Sequence, residues 1–134
     1  FATDANVWIA TGSADGLPRL VPLSLAWDGT RVLVVTRSDT PTVHNVASSW
    51  RARMAHESTE DVVLFDADVT VTAISEAGET AINAYIERSG WDPRTETGTW
   101  SMLFCLPTRI QAWNSASEIP GRTIMSDGHW RPDC

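Results

Sequence analysis

Short apolar runs separated by Gly and Asp turn residues fill the first half of the chain. This pattern predicts strands at Val7–Thr11, Leu20–Trp27 and Arg31–Thr36, because tight turns of this kind reverse neighbouring strands. The turns fall at Ala14–Gly16 and Asp28–Gly29. The first three strands are therefore expected to form an antiparallel meander.

The second predicted strand has two different faces. Its residues alternate between the set Leu20, Pro22 and Ser24 and the set Val21, Leu23 and Leu25. Because Pro22 has no N–H to donate to a neighbouring strand, this strand is expected at a sheet edge or at a bulge. One side of it is then free for another contact.

Helical and strand patterns mix in the second half. Thr40 or Thr42 can cap a short helix that runs to about Ser49. Apolar residues from Ala81 to Ile86 recur at helical spacing, and Gly90 can end that helix in a left-handed cap. Further strands are predicted at Arg53–His56, Val62–Ile74, Ser101–Pro107, Arg109–Trp113 and Arg122–Ser126, with a turn at Ser126–Gly128. Many short strands with two helices predict a mainly β fold, a closed or split barrel.

The length and net charge of the chain limit the classes of partner that it can bind. The 134 residues suit a single domain, 1–134, and the formal charge of −7 argues against nucleic acid as a partner. No segment reaches the ~20 apolar residues that span a bilayer, so no membrane partner is expected. The first residues, Phe1 to Asn6, lack the basic flank and apolar stretch of a signal peptide. The cytoplasm is the expected location.

The residue types exclude several chemistries. All ten cationic side chains are Arg, so a Schiff-base lysine and a P-loop are excluded, and any anionic ligand must be held by Arg, hydroxyls or backbone amides. Cys105 lies in an apolar run and is expected to be a buried small residue, and with Cys134 it has no metal-ligand spacing. The three histidines lack metal-binding spacing, and no Gly-x-Ser-x-Gly elbow occurs. No metal site, hydrolase site or general base is predicted.

One stretch resembles a known family. A strand of the form G-x-P-x-x-x-P runs from Gly16 to Pro22, a T-x-x-x-S-like loop follows with Thr36 and Thr40, and Asn45-Val46 resembles the helix motif R-N-L. In this order and spacing the chain resembles the pyridoxamine phosphate oxidase-like superfamily of FMN-binding split barrels, which includes the deazaflavin-dependent reductases. The resemblance continues at Asp61–Val63, Gly90–Pro93, Ala112–Trp113, Pro120–Met125 and Gly128–Trp130.

The resemblance implies a homodimer with two flavin sites at the subunit interface. The first strand of the motif would line the ring and the phosphate, and the loop after it would close over the ribityl phosphate. Near the C-terminus, Trp113 and Arg122 resemble, more loosely, the Trp and Arg that reach flavin or substrate; the alternatives are a barrel-core Trp113 and an Arg122 paired with Glu118. The other cofactor-binding candidates are Arg19, Leu20, Val21, Pro22, Leu23, Ser24, Val35, Thr36, Arg37, Ser38, Thr40, Thr42 and Asn45.

The chain departs from the family at the phosphate loop. Family members usually carry Lys or Arg where this chain has Pro41 and Thr42, and a second Arg where it has His44. Each missing charge-assisted contact is worth about 1.5 to 3 kcal/mol. Arg19, Arg37 or a partner's Arg122 could replace them. The expected function is an FMN- or deazaflavin-dependent oxidoreductase acting on a small molecule, the catalytic residues and substrate being unidentified. The alternatives are a non-catalytic flavin- or haem-binding protein and a scaffold without cofactor.

Overall fold

The computed structural model describes residues 6–131. Residues 1–5 and 132–134, with the N-terminal stretch and Cys134 discussed above, lie outside this range. The strands are β1 Asn6–Gly12, β2 Pro18–Ser24, β3 Ala26–Trp27, β4 Val32–Arg37, β5 Arg51–His56, β6 Val62–Ala73, β7 Trp100–Trp113, β8 Thr123–Ser126 and β9 His129–Trp130. The helices are α1 Pro41–Ser49 and α2 Glu79–Ser89, and short 3-10 turns cover Ile74–Glu76, Pro93–Thr95 and Ala116–Gly121.

The strands form one antiparallel sheet that curls into a split barrel. Their order is β2-β1-β5-β6-β7-β4-β3, with β8 added to β7 and β9 to β8. Strands β2 and β3 lie at opposite ends of this order although they follow each other in the chain. The segment 18–27 therefore bridges the two ends of the sheet, and the mainly β, split-barrel prediction is confirmed.

The predicted strand Leu20–Trp27 is two strands in the structure. Leu25 interrupts the ladder and is only 2% exposed, because it turns into the barrel interior as the chain leaves β1 and joins β4. Pro22 lies in β2, opposite Trp8 of β1, and β2 is the terminal strand of the sheet order. The edge position predicted from Pro22 is confirmed.

The predicted strands Ser101–Pro107 and Arg109–Trp113 are one strand, β7. Pairing with β6 passes from Asp66↔Arg109 to Ala67↔Pro107, so Thr108 is the extra residue of a bulge. The Thr108 hydroxyl donates to the Asp66 carbonyl oxygen at 3.3 Å. The bulge lets β7 continue past Pro107, which cannot donate to a ladder.

The helix predictions are confirmed in their main features. Thr40 caps α1, since its Oγ1 accepts from the Val43 amide, and Gly90 ends α2 at φ 72°. Thr42, the other candidate cap, is instead a buried residue of α1. Several strand bounds differ by one or two residues from the prediction: for example, β5 begins at Arg51, β6 ends at Ala73 before a 3-10 turn, and β8 begins at Thr123. No helix within residues 6–131 is long and apolar enough to cross a membrane.

Two apolar clusters stabilise the fold. One fills the barrel and includes Ile9, Val34, Met54, Leu103 and Cys105. Cys105 is fully buried, as predicted, and burial raises the pKa of its thiol to about 12. The second cluster joins α2 to the outer face of β4 and β7 through residues such as Leu33, Val35, Ile82, Tyr85 and Met102. Helix α2 thus covers that outer face, whereas α1 packs against β1, β2 and β6.

Gly98 precedes β7 in a conformation that favours glycine. Its φ is 91°, and a Cβ there would lie 3.0 Å from Arg37 Nη2. We expect Gly98→Ala to lower the free energy of unfolding by about 1–2 kcal/mol, the usual cost of a left-handed L-residue. Urea denaturation measures the change in the free energy of unfolding. Gly121→Ala is the control, because a Cβ at Gly121 has no atom within 4 Å. Equal losses in the two variants would contradict this account of Gly98.

Candidate functional site

The terminal strand β2 carries the first group of predicted site residues. Leu20, Pro22 and Ser24 are exposed on its outer side, and Leu20 retains 61% exposure. Val21 and Leu23 are half-buried on the inner side. The alternation predicted for this strand is therefore present, and the edge of β2 that is not paired with β1 is left without a ladder partner in the sheet order of residues 6–131.

Arg19 lies at the end of the barrel that α1 covers. It is exposed, and it pairs across the ladder with Thr11 of β1. Thr11 is only 6% exposed, and its Oγ1 accepts a hydrogen bond of 3.1 Å from Asn45 Nδ2 on α1. Thr11 thus lies beside two predicted site residues, as the ladder partner of Arg19 and the hydrogen-bond partner of Asn45. The sequence signal for Thr11 was a hydroxyl at the position where the inward apolar series Val7 and Ile9 would continue.

The hydroxyls of the loop after β4 are engaged within the protein. Ser38 Oγ lies 2.7 Å from Ser101 Oγ, and Thr40 Oγ1 donates to the Arg37 carbonyl oxygen at 3.0 Å while capping α1. Thr36 and Thr42 are both buried. Because Pro41 opens α1 without an N–H and the Val43 amide is held by Thr40, the first turn has few free donors. The loop would have to rearrange in part to surround a phosphate.

Val35 and Arg37 lie on the opposite face of β4 from Thr36. Val35 is buried in the cluster beneath α2. The Arg37 guanidinium lies 5.6 Å from the centre of the Trp100 ring and 3.5 Å from the Asp39 carboxylate. Alternation along β4 therefore directs these two side chains to the outer face that α2 covers, whereas Asn45 contacts Thr11, which continues the inward-facing series of β1.

Trp113 and Arg122 meet at the far end of β7. The Arg122 guanidinium lies 6.0 Å from the Trp113 ring centre and donates to the Ile119 carbonyl oxygen at 2.8 Å. The alternative partner Glu118 instead accepts from the Asn114 amide at 2.9 Å and from the Ser115 hydroxyl at 3.3 Å. Trp113 is half-buried, which differs from the fully buried core residue considered as its alternative.

These two residues lie several strands away from Arg19 in the sheet order. Trp113 ends β7, whereas Trp100 begins it beside Arg37 at the α1 end of the barrel. Ladder pairs join Leu20, Ala10, Arg53, Asp66 and Arg109 in one row, so β2 and β7 are four strand spacings apart, about 19 Å along the curled sheet. Trp113 lies four residues beyond Arg109 on β7.

A polar groove beside Thr11 contains cations that the sequence reasoning did not single out. The groove has a volume of about 850 Å³, and Arg51 and Arg53 line it together with Asp66, Asp68 and Asp127. Arg53 donates to Asp66 at 2.6 and 3.2 Å, and that hydrogen bond raises the pKa of Arg53. Arg51 is exposed and lies opposite Asp68 in the ladder. The spacing Arg-x-Arg on one strand was the signal for this pair.

An apolar patch covers the outer side of β1 and β2. We call Trp8, Leu20 and Pro22 the outer patch. Trp8 and Leu20 are 43% and 61% exposed, and Ala55 of β5 extends the patch as the ladder partner of Trp8. A contiguous exposed apolar surface of this kind is typical of an interaction site.

Comparison with solved structures identifies the same architecture in other proteins. An F420 reductase matches with a TM-score of 0.63 and 15% identity over 81% of this chain and 90% of its own. A pyridoxamine 5'-phosphate oxidase-related, FMN-binding protein from Nostoc punctiforme gives 0.60 and 13% over 88% and 76%. HutZ, the haem storage protein from Vibrio cholerae, gives 0.69 and 13% over 94% and 91%.

Comparison at the level of sequence identifies no related family. No protein-family model and no curated protein sequence matches the chain. At 13–15% identity the likeness to solved structures establishes the fold, which is the split barrel that the sequence motifs predicted.

Proposed function

We propose that the chain binds FMN between two copies of itself and uses it to oxidise or reduce a small molecule. The observation that carries the proposal is the convergence of Arg19, Thr11 and Asn45 at one end of the barrel, beside the unpaired edge of β2. A flavin needs a cation or amides at its phosphate and backbone groups along one edge of its ring. This part of the molecule offers both.

The donor set fits one phosphate group. Arg19 is exposed and can turn toward a ligand, and the amide side chain of Asn45 is fixed by Thr11. Arg51, in the neighbouring groove, is a further cation that can compensate for the missing Lys and Arg of the loop. A chain with no Lys favours the mononucleotide over a deazaflavin, whose tail carries more negative charge.

The cofactor would supply the redox chemistry, because its ring system accepts and donates electrons. The protein's own residues hold and orient it. Arg19 and Asn45 would hold the phosphate, and the side chains of Val21 and Leu23 would border the ring. Trp113 and Arg122 of a second copy would close the site, since within one chain they lie on and after β7, four strands from β2 in the sheet order. The outer patch is the surface that a second copy would cover.

A haem-binding or storage protein without catalysis is the second candidate. The match to HutZ favours it, because that match covers almost all of both chains. His44 and His129 are exposed, and either would be available to bind haem iron.

Titration of the purified protein distinguishes these functions. We expect FMN absorbance to remain with the protein through desalting at one per chain, to bleach with dithionite and to recover in air. A shifted haem absorbance band with no retained FMN would favour the second candidate. A deazaflavin titration run in parallel tests the choice of flavin, and a protein that retains none of the three would refute both candidates.

A further inference from the structure

A second cavity lies at the end of the barrel away from α1. It has a volume of about 600 Å³ and lies between the β3–β4 hairpin and the β8–β9 hairpin. We call it the barrel-end pocket. Its lining is Trp27, Gly29, Thr30, Val32, Val63, Phe65, Leu106, Pro107, Ile110, Ala112, Ile124, Met125, Gly128 and Trp130.

The sheet topology creates this pocket. Strands β4 and β8 both pair with β7, but β4 pairs with residues up to Cys105 and β8 pairs only at Ile110 and Gln111. The stretch of β7 between them, which contains the bulge at Thr108, has neither strand beside it. The opening is therefore a consequence of strand order, and not of a missing side chain in the core.

Both walls of the pocket are held in place. In the β3–β4 hairpin, Asp28 Oδ1 accepts from the Thr30 and Arg31 amides at 2.9 and 2.6 Å. Burial raises the pKa of Asp28, but these amides and the Arg31 guanidinium lower it more, and the net shift is downward. On the other wall the Gly128 amide donates to the Thr108 carbonyl oxygen at 2.8 Å. A pocket with fixed walls loses little entropy when it binds a ligand.

The lining determines the class of ligand. No charged side chain lines the pocket among residues 6–131, although the chain has ten Arg and 17 acidic residues. Three aromatic side chains, Trp27, Phe65 and Trp130, contribute to it, and Trp130 is 63% exposed at the rim. Cavities of ~300–1,000 Å³ with apolar and aromatic linings are typical small-molecule sites, and the mouths of β-barrels are a common location.

We infer that the barrel-end pocket binds an uncharged, aromatic small molecule, at a site separate from the one at Arg19. The Arg19 site is cationic and lies beside α1, whereas the described lining of this pocket contains no cation and lies at the start of β4, away from α1. A ligand here would cover the exposed surfaces of Trp130 and Leu106, which water otherwise contacts. The inference does not depend on a flavin being bound.

The uncharged fluorescent probe N-phenyl-1-naphthylamine tests this site. We expect saturable binding at one probe per chain, and at least tenfold weaker binding in Trp130→Ala. Ala112→Phe, which adds a ring to the lining without removing a contact, should weaken binding as strongly. Trp50→Ala is the matched control, because Trp50 is 69% exposed but lies outside the pocket, and it should change the affinity less than twofold.

Three results would overturn the inference. The first is the absence of saturable binding, or an equal loss in the Trp50 and Trp130 variants, which would indicate general adhesion to exposed indoles. The second is competition between the probe and FMN, which would place the probe in the other site. The third is binding only in a chain that ends at Arg131, which would show that the following residues of the chain fill the pocket. Unchanged thermal midpoints of the variants would confirm that each is folded.

Discussion

Replacing Leu20 by Glu is expected to leave a folded monomer that no longer retains FMN. Leu20 is 61% exposed in the single chain, so a charge there should not disturb the barrel. In a dimer formed through the outer patch, the same charge would be buried against apolar surface without a partner, which is strongly unfavourable. Loss of the second copy also removes its Trp113 and Arg122 from the site, and we expect FMN affinity to fall by more than 100-fold.

Sedimentation at micromolar concentration measures this effect alongside FMN titration. Leu106→Glu is the matched control, since Leu106 is 46% exposed but lies on β7, away from the outer patch. The control should remain dimeric. A wild-type protein that sediments as a monomer would disprove the dimer and most of the proposed site with it. A dimeric Leu20→Glu variant would show that the chains associate through another surface.

Replacing Arg19 by Ala is expected to weaken FMN binding by roughly 10-fold to 100-fold. The side chain would contribute one charge-assisted contact to the phosphate, for which about 1.5 to 3 kcal/mol is usual. Arg19 is exposed at the end of β2, so the free energy of unfolding of the cofactor-free protein should change little. Titration of FMN into the two proteins measures the difference.

The control for this experiment is Arg88→Ala. Arg88 is an exposed Arg in the last turn of α2, a helix that packs on β3 and β4, and its removal changes the net charge by the same amount. Equal affinity in the Arg19 and wild-type proteins would show that the phosphate is held elsewhere. Arg51 would then be the next residue to test, because it lines the groove beside Thr11.

Much of the fold was predictable because its signals are local. Strand alternation and turn residues located β1, β2 and β4, and the helical spacing from Ala81 with Gly90 located α2. Pro22 indicated an edge strand because the absence of an N–H is a property of the residue itself. Features of this kind do not depend on which strands become neighbours.

The features that were missed depend on tertiary contacts. In the sequence, Leu25 continues the alternation of the strand before it. It interrupts the ladder only because the chain there stops pairing with β1 and begins pairing with β4. Pro107 reads as the end of a strand, but the bulge at Thr108 lets β7 continue. Neither the choice of partner nor the bulge has a local signal in the sequence.

The candidate site was predictable in part. Arg19 and Asn45 came from motif order, and in the structure both lie beside Thr11. Thr11 was missed because its role depends on the register between β1 and β2. Arg37 was a candidate because it follows Thr36, but adjacent residues of a strand point to opposite faces, and its guanidinium contacts Trp100.

The break at Leu25 determines where the barrel can open. The seam between the two ends of the sheet is held by the ladder pairs Ala26↔Leu33 and Trp27↔Val32. By contrast, β1 and β2 share seven paired positions, so the pairing of β2 with β1 is more stable than the pairing of β3 with β4. Local opening of a protein follows its least cooperative contacts. Asp28 fixes the turn between these two strands. Separation of β3 from β4 would therefore begin at Ala26↔Leu33 and admit solvent to the interior beside Leu25, while the remaining sheet stays intact.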